Sequence, residues 1–287
     1  MKAVDLHTHS YKSDGSKSPS QLVDMAREIG LAAMALTDHD TTDGVEEAVS
    51  HAAALRAAGA IDVPEIIPGV ELSTDKWGND IHVVGLYIDI HNPALQQALA
   101  DFVTRREKRN ELMCDRLREL AGFDITYEKL TAAYPGAVLT RAHYATYLIE
   151  KGFVKDKKEA FSRYLGEDTP YFVPREKITP VDAVHLILNA GGIPILAHPM
   201  LYKLTEAQLE ALVCEMKNAG LVGIEAIYST YTIEQERYVR RLAGKYELLL
   251  SGGSDYHGDA KPDIALGTGF GKLFVPEEIL DILKLHR

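Results

Sequence analysis

The chain has 287 residues and a net charge of −11, and 46% of its residues are hydrophobic and 25% charged. This composition is typical of a globular protein and excludes a disordered chain, a collagen-like fibre and a disulfide-stapled miniprotein. The acidic balance argues against DNA binding through a basic surface. Two cysteines 100 residues apart, Cys114 and Cys214, and an N-terminal sequence without an apolar signal core predict a cytoplasmic protein with no membrane partner.

Seven apolar runs of strand length alternate with helical segments along the chain. The runs are continuous rather than alternating, which is typical of strands that are buried on both faces. Repeated strand–helix units of this kind predict a parallel α/β sheet or barrel. In chain order the predicted strands are Ala3–Leu6, Leu31–Leu36, Ile66–Leu72, Ile81–Ile88, Ile193–Ala197, Val222–Ile227 and Leu248–Leu250.

Several helix starts carry recognisable capping sequences. The segments Ser18–Gln21, Asp43–Glu46 and Thr205–Gln208 each match a capping box, in which the first and fourth residues satisfy each other's backbone amides. Thr179 followed by Pro180 places proline at the first helical position. These signals predict where the helices between the strands begin.

One connection is too short for a parallel crossover. Only eight residues separate Leu72 from Ile81, whereas a parallel connection needs about a dozen or more. The third and fourth strands should therefore form an antiparallel hairpin. We expect Glu71 and His82 to meet across it.

Between residues 93 and 177 no strand pattern occurs and helical patterns dominate. Helices are predicted over Leu95–Leu120, Arg141–Glu150 and Lys157–Leu165. The segment carries 15 basic and 13 acidic residues, against 16 and 29 in the rest of the chain. We therefore predict a slightly basic helical insertion after the fourth strand. It can anchor an anion, which the acidic remainder would repel unless bound metal reverses the local field.

Histidine and carboxylate side chains gather at the predicted strand ends. His7 and His9 are two residues apart on one strand and so share a face, which suits one metal ion. Glu71 interrupts an apolar strand, where a buried carboxylate is costly unless it meets a cation. Nine such ligands exceed one tetrahedral site and suit two or three metals. The candidates are His7, His9, Asp14, His39, Glu71, His82, His198, Asp255 and His257.

The motifs HxH, TDHD, GVELS, AHP and SDYH, in this order, resemble those of the polymerase and histidinol phosphatase (PHP) family of metal-dependent phosphoesterases. The resemblance implies a distorted (β/α)7 barrel, formed by residues 1–92 and 178–287, with residues 93–177 as a substrate lid. It also implies a trinuclear site at the carboxyl ends of the strands. Its three predicted metal sites take His7, His9, Glu71 and Asp255; Glu71, His82 and His198; and Asp14, His39 and His257.

Within this family, the insertion resembles that of stand-alone nucleoside 3′,5′-bisphosphate phosphatases, whose relatives also trim the 5′ ends of RNA. The motif on which this resemblance rests is Arg141-Ala142-His143 at the start of a predicted helix, where a guanidinium and the helix amides favour binding of a phosphate. Arg141 and His143 are therefore predicted to bind substrate. Many relatives carry arginine two residues after the AHP proline, whereas this chain has Leu201, and Lys203 is the predicted substitute.

The expected activity is hydrolysis of phosphate monoesters by a metal-activated hydroxide. The expected substrate is the 3′-phosphate of a nucleoside bisphosphate such as pAp, with short 5′-phosphorylated RNA as a further substrate. His198 and His257 are candidates for protonating the leaving group, and Asp38 for orienting the site. Two or three divalent ions are expected, Mn²⁺ first, with Zn²⁺ and Fe²⁺ as alternatives.

Three other functions stay open at this point. The nearest is a histidinol-phosphate phosphatase of the same family, against which the Arg-x-His insertion counts. An amidohydrolase that cleaves C–N bonds also opens with HxH, but the Glu71 hairpin, AHP and SDYH do not fit its pattern. A metal-binding scaffold without turnover would be favoured by a missing ligand, and none of the nine is missing.

Overall fold

The strands pair side by side in an order that nearly closes a ring. The computed structural model describes residues 2–174 and 176–287. The strands in these residues are β1 (Ala3–Thr8), β2 (Ala33–Leu36), β3 (Glu65–Lys76), β4 (Asn79–Leu86), β5 (Ile193–Leu196), β6 (Gly223–Tyr228), β7 (Leu249–Gly253) and β8 (Val275–Pro276). Their order in the sheet is β7-β6-β5-β4-β3-β2-β1-β8. All seven predicted strands are confirmed, and the two-residue strand β8 was not predicted.

The free edge of β1 is shared between two segments. Its first residues pair with β8, Ala3 opposite Pro276. Its last residues meet the chain that follows β7: the amide of Asp255 donates to the carbonyl of His7 at 2.9 Å, and the amide of His9 donates to the carbonyl of Tyr256 at 2.9 Å. The predicted distorted barrel of seven strands is confirmed, and β8 pairs with the beginning of β1 where the barrel closes.

Strand β4 runs opposite to the strands on both sides of it. It pairs antiparallel with β3 and with β5, whereas the β1–β2, β2–β3, β5–β6 and β6–β7 pairs are parallel. The hairpin prediction is therefore confirmed. Because β4 is reversed, its beginning lies at the edge of the barrel where the other strands end, so His82 is placed beside Glu71.

Most of the predicted helix starts are observed. Ser18 and Thr205 form complete capping boxes, and Pro180 is at the first position of its helix. The capping box predicted for Asp43–Glu46 is wrong, because the helix is capped by Gly44 without a side-chain hydrogen bond. A Cβ at Gly44 would lie 3.0 Å from the side chains of Leu36 and Pro19, so a capping side chain at this position would be crowded.

Helices cover the sheet and make up the insertion. Around the barrel they are α1 (Pro19–Glu28), α2 (Val45–Ala57), α7 (Pro180–Asn189), α8 (Glu206–Asn218), α9 (Ile233–Lys245) and α10 (Glu277–Lys284). The others are α3 (Pro93–Ala121), α4 (Tyr127–Ala133), α5 (Arg141–Glu150) and α6 (Lys157–Ala160). Helix α4 was not predicted, and the helix predicted over Lys157–Leu165 is instead a short α-helix followed by a π-helical turn. No helix in the described residues combines the length and hydrophobicity needed to cross a membrane.

The chain divides into two compact units, Met1–Gln97 with Lys177–Arg287, and Ala98–Glu176. The second unit has a hydrophobic core of its own, which includes Met113, Leu117, Tyr144 and Leu148. The core of the first unit joins the strands to α10. In strand β1 the side chains alternate between apolar and polar surroundings. Val4 and Leu6 belong to the hydrophobic core, while Asp5 and His7 are buried on the other face of the strand.

Gly253, the last residue of β7, allows this strand to approach β1 closely where the barrel closes. A Cβ at this position would lie 2.5 Å from the Cβ of His7. We expect Gly253→Ala to lower the free energy of unfolding by about 1–3 kcal/mol through overpacking. The matched variant is Gly244→Ala in α9, where an added Cβ would have no described atom within 4 Å apart from its own helix backbone. It should instead raise the free energy of unfolding by about 0.5–1 kcal/mol. Urea unfolding measures both variants, and equal stabilities would contradict this account of the closure.

Candidate metal centre

The nine predicted ligands converge at one edge of the barrel. His7 lies on β1, and His9 and Asp14 follow it; His39 follows β2, and Glu71 lies within β3. The remaining four come from the reversed strand β4 and from the segments after β5 and β7: His82, His198, Asp255 and His257. The carboxyl ends of neighbouring parallel strands meet at one edge, which explains why residues so distant in sequence come together.

Glu71 is the centre of this cluster. Its side chain is fully buried, and each carboxylate oxygen faces histidine nitrogens. Oε1 lies 2.9 Å from Nδ1 of His82 and 3.0 Å from Nε2 of His198. Oε2 lies 3.0–3.3 Å from nitrogens of His39, His7 and His9. The predicted meeting of Glu71 and His82 is confirmed, although His82 is registered opposite Ser73.

Several polar atoms of the cluster are buried without a hydrogen bond to any described residue. They include Nε2 of His7, both ring nitrogens of His9, Nδ1 of His39 and Oε2 of Glu71. Burying such atoms unpaired is costly, and yet Oε2 of Glu71 lies only 3.0–3.3 Å from nitrogens of His39, His7 and His9. A divalent cation would satisfy nitrogen and carboxylate oxygen together. The residues present therefore fit metal ions.

The ligand atoms fall into overlapping groups whose members lie within 4.8 Å of one another. One group holds His9, Asp14, His39 and His257, and another holds His7, His9 and Asp255. Both resemble predicted sets, with His9 added to the first and Glu71 absent from the second. The remaining predicted set, which joins His82 and His198 to Glu71, is divided. His82 groups with His39 and Glu71, whereas His198 groups with His7 and Glu71.

Carboxylates outside the predicted set orient the histidine rings. Oε1 of Glu225 lies 3.1 Å from Nδ1 of His7, and its Oε2 accepts the amide of His198 at 2.7 Å. Oδ1 of Asp80 lies 3.1 Å from Nε2 of His82. When the outer nitrogen of a ring donates to such a carboxylate, the inner nitrogen keeps a lone pair for a metal.

Glu225 was missed by the sequence analysis although a signal existed. It interrupts the apolar strand β6 in the same way that Glu71 interrupts β3, and it is 3% exposed. Asp5 was missed as well; its carboxylate is buried and accepts the amide and hydroxyl of Ser254 and the amide of Gly267. Asp5 thereby fixes the segment that carries Asp255.

The backbone itself is constrained at the site. His198 has φ 25° and Asp255 has φ 56°, values that side chains other than glycine seldom adopt. The Oδ2 atom of Asp255 accepts from the hydroxyl of Tyr228 and from Nζ of Lys261, both at 2.6 Å. Its Oδ1 atom remains directed at His9, 3.2 Å away. Two donors thus hold one oxygen of this carboxylate and leave the other to the cluster.

Asp38 is engaged by the loop that follows β1. Its Oδ1 accepts the amide of Ser10 and the hydroxyl of Ser13, and its Oδ2 accepts the hydroxyl of Ser10, at 2.6–2.7 Å. Burial raises the pKa of Asp38, and His9 and the serine donors oppose that effect. These donors already occupy both oxygens of Asp38 and tie it to the loop after β1, and the orienting role expected from the sequence stays a prediction.

The three predicted substrate-binding residues occupy different environments. Arg141 lies in the second unit, half-buried, with its guanidinium 3.3 Å from Glu167 and 5.3 Å above the ring centre of Phe172. His143 completes a capping box at the start of α5 through Nδ1, which accepts the amide of Thr140 at 3.0 Å. Lys203 is exposed in the first unit.

The carboxylates control the protonation of the histidines. Burial lowers the pKa of His9 and of His82, but the neighbouring carboxylates more than offset it. Asp255 and Glu71 raise the pKa of His9 to about 9, and Glu71 and Asp80 raise that of His82 to about 10. Burial acts to raise the pKa of Glu71, whereas the histidines hold it well below its usual range. Without metal, the site balances its carboxylates with protons.

Metal binding should therefore release protons. Because the pKa values of His9 and His82 are raised to about 9 and about 10, both rings hold a proton at pH 7 in metal-free protein and must lose it to bind a cation. Calorimetric titration of metal-depleted protein with Mn²⁺ in buffers of different ionisation enthalpy counts the released protons. We expect at least one proton at pH 7 and fewer as the pH rises through 9 to 10. Binding without proton release at pH 7 would contradict the assignment.

Comparison with known proteins places this geometry in a family. The PHP domain family model matches residues 5–165. The chain is 40% identical over 256 residues to the 5′-3′ exoribonuclease of Haemophilus influenzae, covering 89% of this chain and 90% of that protein. It is 34% identical over 266 residues to the 3′,5′-nucleoside bisphosphate phosphatase of Chromobacterium violaceum, covering 90% and 88%. The solved structure of an amidohydrolase from Chromobacterium violaceum with bound sulfate superposes with a TM-score of 0.86 at 30% identity, covering 99% and 96%. The chain belongs to the PHP domain family.

Proposed function

We propose that this protein is a metal-dependent phosphatase of nucleoside 3′,5′-bisphosphates that also acts on short 5′-phosphorylated RNA. The observation that carries the proposal is the buried Glu71 carboxylate, whose Oε2 faces nitrogens of His7, His9 and His39 that have no hydrogen bond to any described residue. The similar proteins named exoribonuclease and bisphosphate phosphatase support the substrate class. The sulfate in the similar solved structure supports a site for tetrahedral oxyanions.

In this proposal, His7, His9, Asp14, His39, Glu71, His82, His198, Asp255 and His257 hold two or three divalent ions, with Mn²⁺ expected first and Zn²⁺ or Fe²⁺ as alternatives. Such ions lower the pKa of water toward neutrality and offset negative charge on phosphoryl oxygens. Glu225 and Asp80 keep His7 and His82 in the tautomers that direct a lone pair inward. Asp38 holds the loop after β1 in place.

The leaving alkoxide needs a proton, and His198 and His257 are the candidates. Both nitrogens of His257 face partners, because Nδ1 is 2.8 Å from the carbonyl of Asp255 and Nε2 is 3.2 Å from Asp14. Nδ1 of His198 has no hydrogen-bond partner among the residues that the structure describes. In this proposal His198 is therefore the first candidate and His257 the second, because Nδ1 of His198 is not engaged by another group.

A phosphate-release screen separates this proposal from its alternatives. Protein with added manganese is assayed on pAp, 5′-phosphorylated RNA, histidinol phosphate and a panel of amides. We expect the highest kcat/KM on pAp and turnover of the RNA. Preference for histidinol phosphate, or cleavage of amides in place of phosphate esters, would replace the proposal by the corresponding alternative.

Glu71→Gln should abolish nearly all of this turnover. The amide keeps the size of the side chain but removes the charge that the bound cations would share, so we expect kcat/KM to fall by more than about 100-fold with the protein still folded. Glu65→Gln is the matched control, because Glu65 begins the same strand and pairs with Lys284 away from the cluster. If Glu71→Gln keeps activity within tenfold of the native protein, the shared carboxylate is misassigned.

Arg141 should contribute to binding rather than to the chemical step. If its guanidinium holds the phosphate that is not hydrolysed, its contribution is about 1.5–3 kcal/mol, or about 10- to 100-fold in kcat/KM. Arg141→Ala should therefore impair pAp hydrolysis by that factor, with a much smaller loss on p-nitrophenyl phosphate. Arg118→Ala, an exposed arginine paired with Asp115, is the control for lost charge. Equal losses on both substrates would contradict the assignment.

A further inference from the structure

The turn between β3 and β4 carries the chain's single tryptophan. Lys76 and Asn79 form the last pair of the hairpin, which leaves Trp77 and Gly78 as a two-residue loop. Both loop residues have positive φ, 55° and 73°. Hairpin loops of this kind strongly favour asparagine, aspartate or glycine at the first position, because a Cβ there crowds the following carbonyl. Tryptophan is an unfavourable residue for this turn.

The tryptophan ring is exposed while the backbone under it is fixed. Half of the Trp77 surface is accessible. Nζ of Lys76 lies 5.2 Å from the ring centre and is itself held by Glu215 at 2.6 Å. The carbonyl of Trp77 accepts from the side-chain amide of Asn79 at 3.3 Å. The turn therefore exposes a flat aromatic surface, and the contacts of Lys76 and Asn79 hold its backbone in place.

The hairpin projects beyond the candidate metal centre. Strand β3 continues from Glu71 for five more residues to Lys76. His82 is registered opposite Ser73, so the turn lies four residues further along the strand, about 13 Å away. Trp77 thus lies beyond the end of the barrel at which the candidate ligands gather. A chain of a few nucleotides can span the distance between His82 and Trp77.

We propose that Trp77 is a stacking platform for a base of single-stranded RNA whose 5′ end occupies the metal centre. The inference rests on the proposed function. A tryptophan face accepts every base, so this contact would add affinity without sequence preference. A residue that disfavours its own turn and yet exposes its ring is better explained by a ligand than by folding.

Substitution by asparagine separates the two roles, because it should improve the turn and remove the platform. We expect Trp77→Asn to raise the midpoint of thermal unfolding by about 2–4 °C. It should raise KM for a 5′-phosphorylated RNA of five nucleotides, lowering kcat/KM by about 5- to 100-fold. The kcat/KM for pAp should stay the same, because a mononucleotide does not reach the turn. Trp77→Phe should keep most of the RNA activity.

Fluorescence of the native protein tests binding without turnover, since the chain has one tryptophan. A phosphorothioate RNA of five nucleotides should quench the emission, and pAp should not. Quenching without hydrolysis of any RNA would support the platform while refuting the proposed RNA activity. Normal hydrolysis of RNA without quenching would overturn the platform and leave the proposed function intact. Equal losses by Trp77→Asn on RNA and pAp would also overturn it.

Discussion

The structure depends on one costly arrangement, a fully buried carboxylate, Glu71, within 3.3 Å of nitrogens from His7, His9, His39, His82 and His198. A carboxylate removed from water needs positive charge, which either protons on the rings or bound cations can supply. When protons supply the charge, several ring nitrogens and Oε2 of Glu71 have no hydrogen bond to any described residue. Cations would bind these nitrogens and the oxygen together. This requirement explains the other residues at this end of the barrel, because the strand ends contribute groups that suit a shared cation site.

The reversed strand β4 and the closure at β1 provide the geometry. Reversal brings His82 to the edge where the other strands end, so one hairpin supplies both Glu71 and a histidine beside it. Closure depends on Asp5, which binds the segment leading to Asp255, and on Gly253, which has no side chain to separate that segment from His7. Fold and site are thus built by the same contacts.

Much of this could be predicted from the sequence, because the signals are local. Continuous apolar runs indicated the strands, an eight-residue connection indicated the hairpin, and an isolated acid in an apolar strand indicated Glu71. The supporting residues Glu225, Asp80 and Asp5 could not be paired with their histidine or backbone partners without the barrel, since the pairs are set by three-dimensional closure. The missing cap at Gly44 likewise reflects crowding by neighbours distant in sequence. The division of ligands among metals depends on distances that spacing does not encode.

Metal content tests the central claim, which is that the buried carboxylate and its histidines form a multinuclear centre. Elemental analysis of protein produced with added manganese, dialysed free of loosely bound ions and assayed for phosphatase activity, gives the number of metal ions per chain. The account predicts between two and three divalent ions for each active chain. One ion or fewer in fully active protein would contradict it.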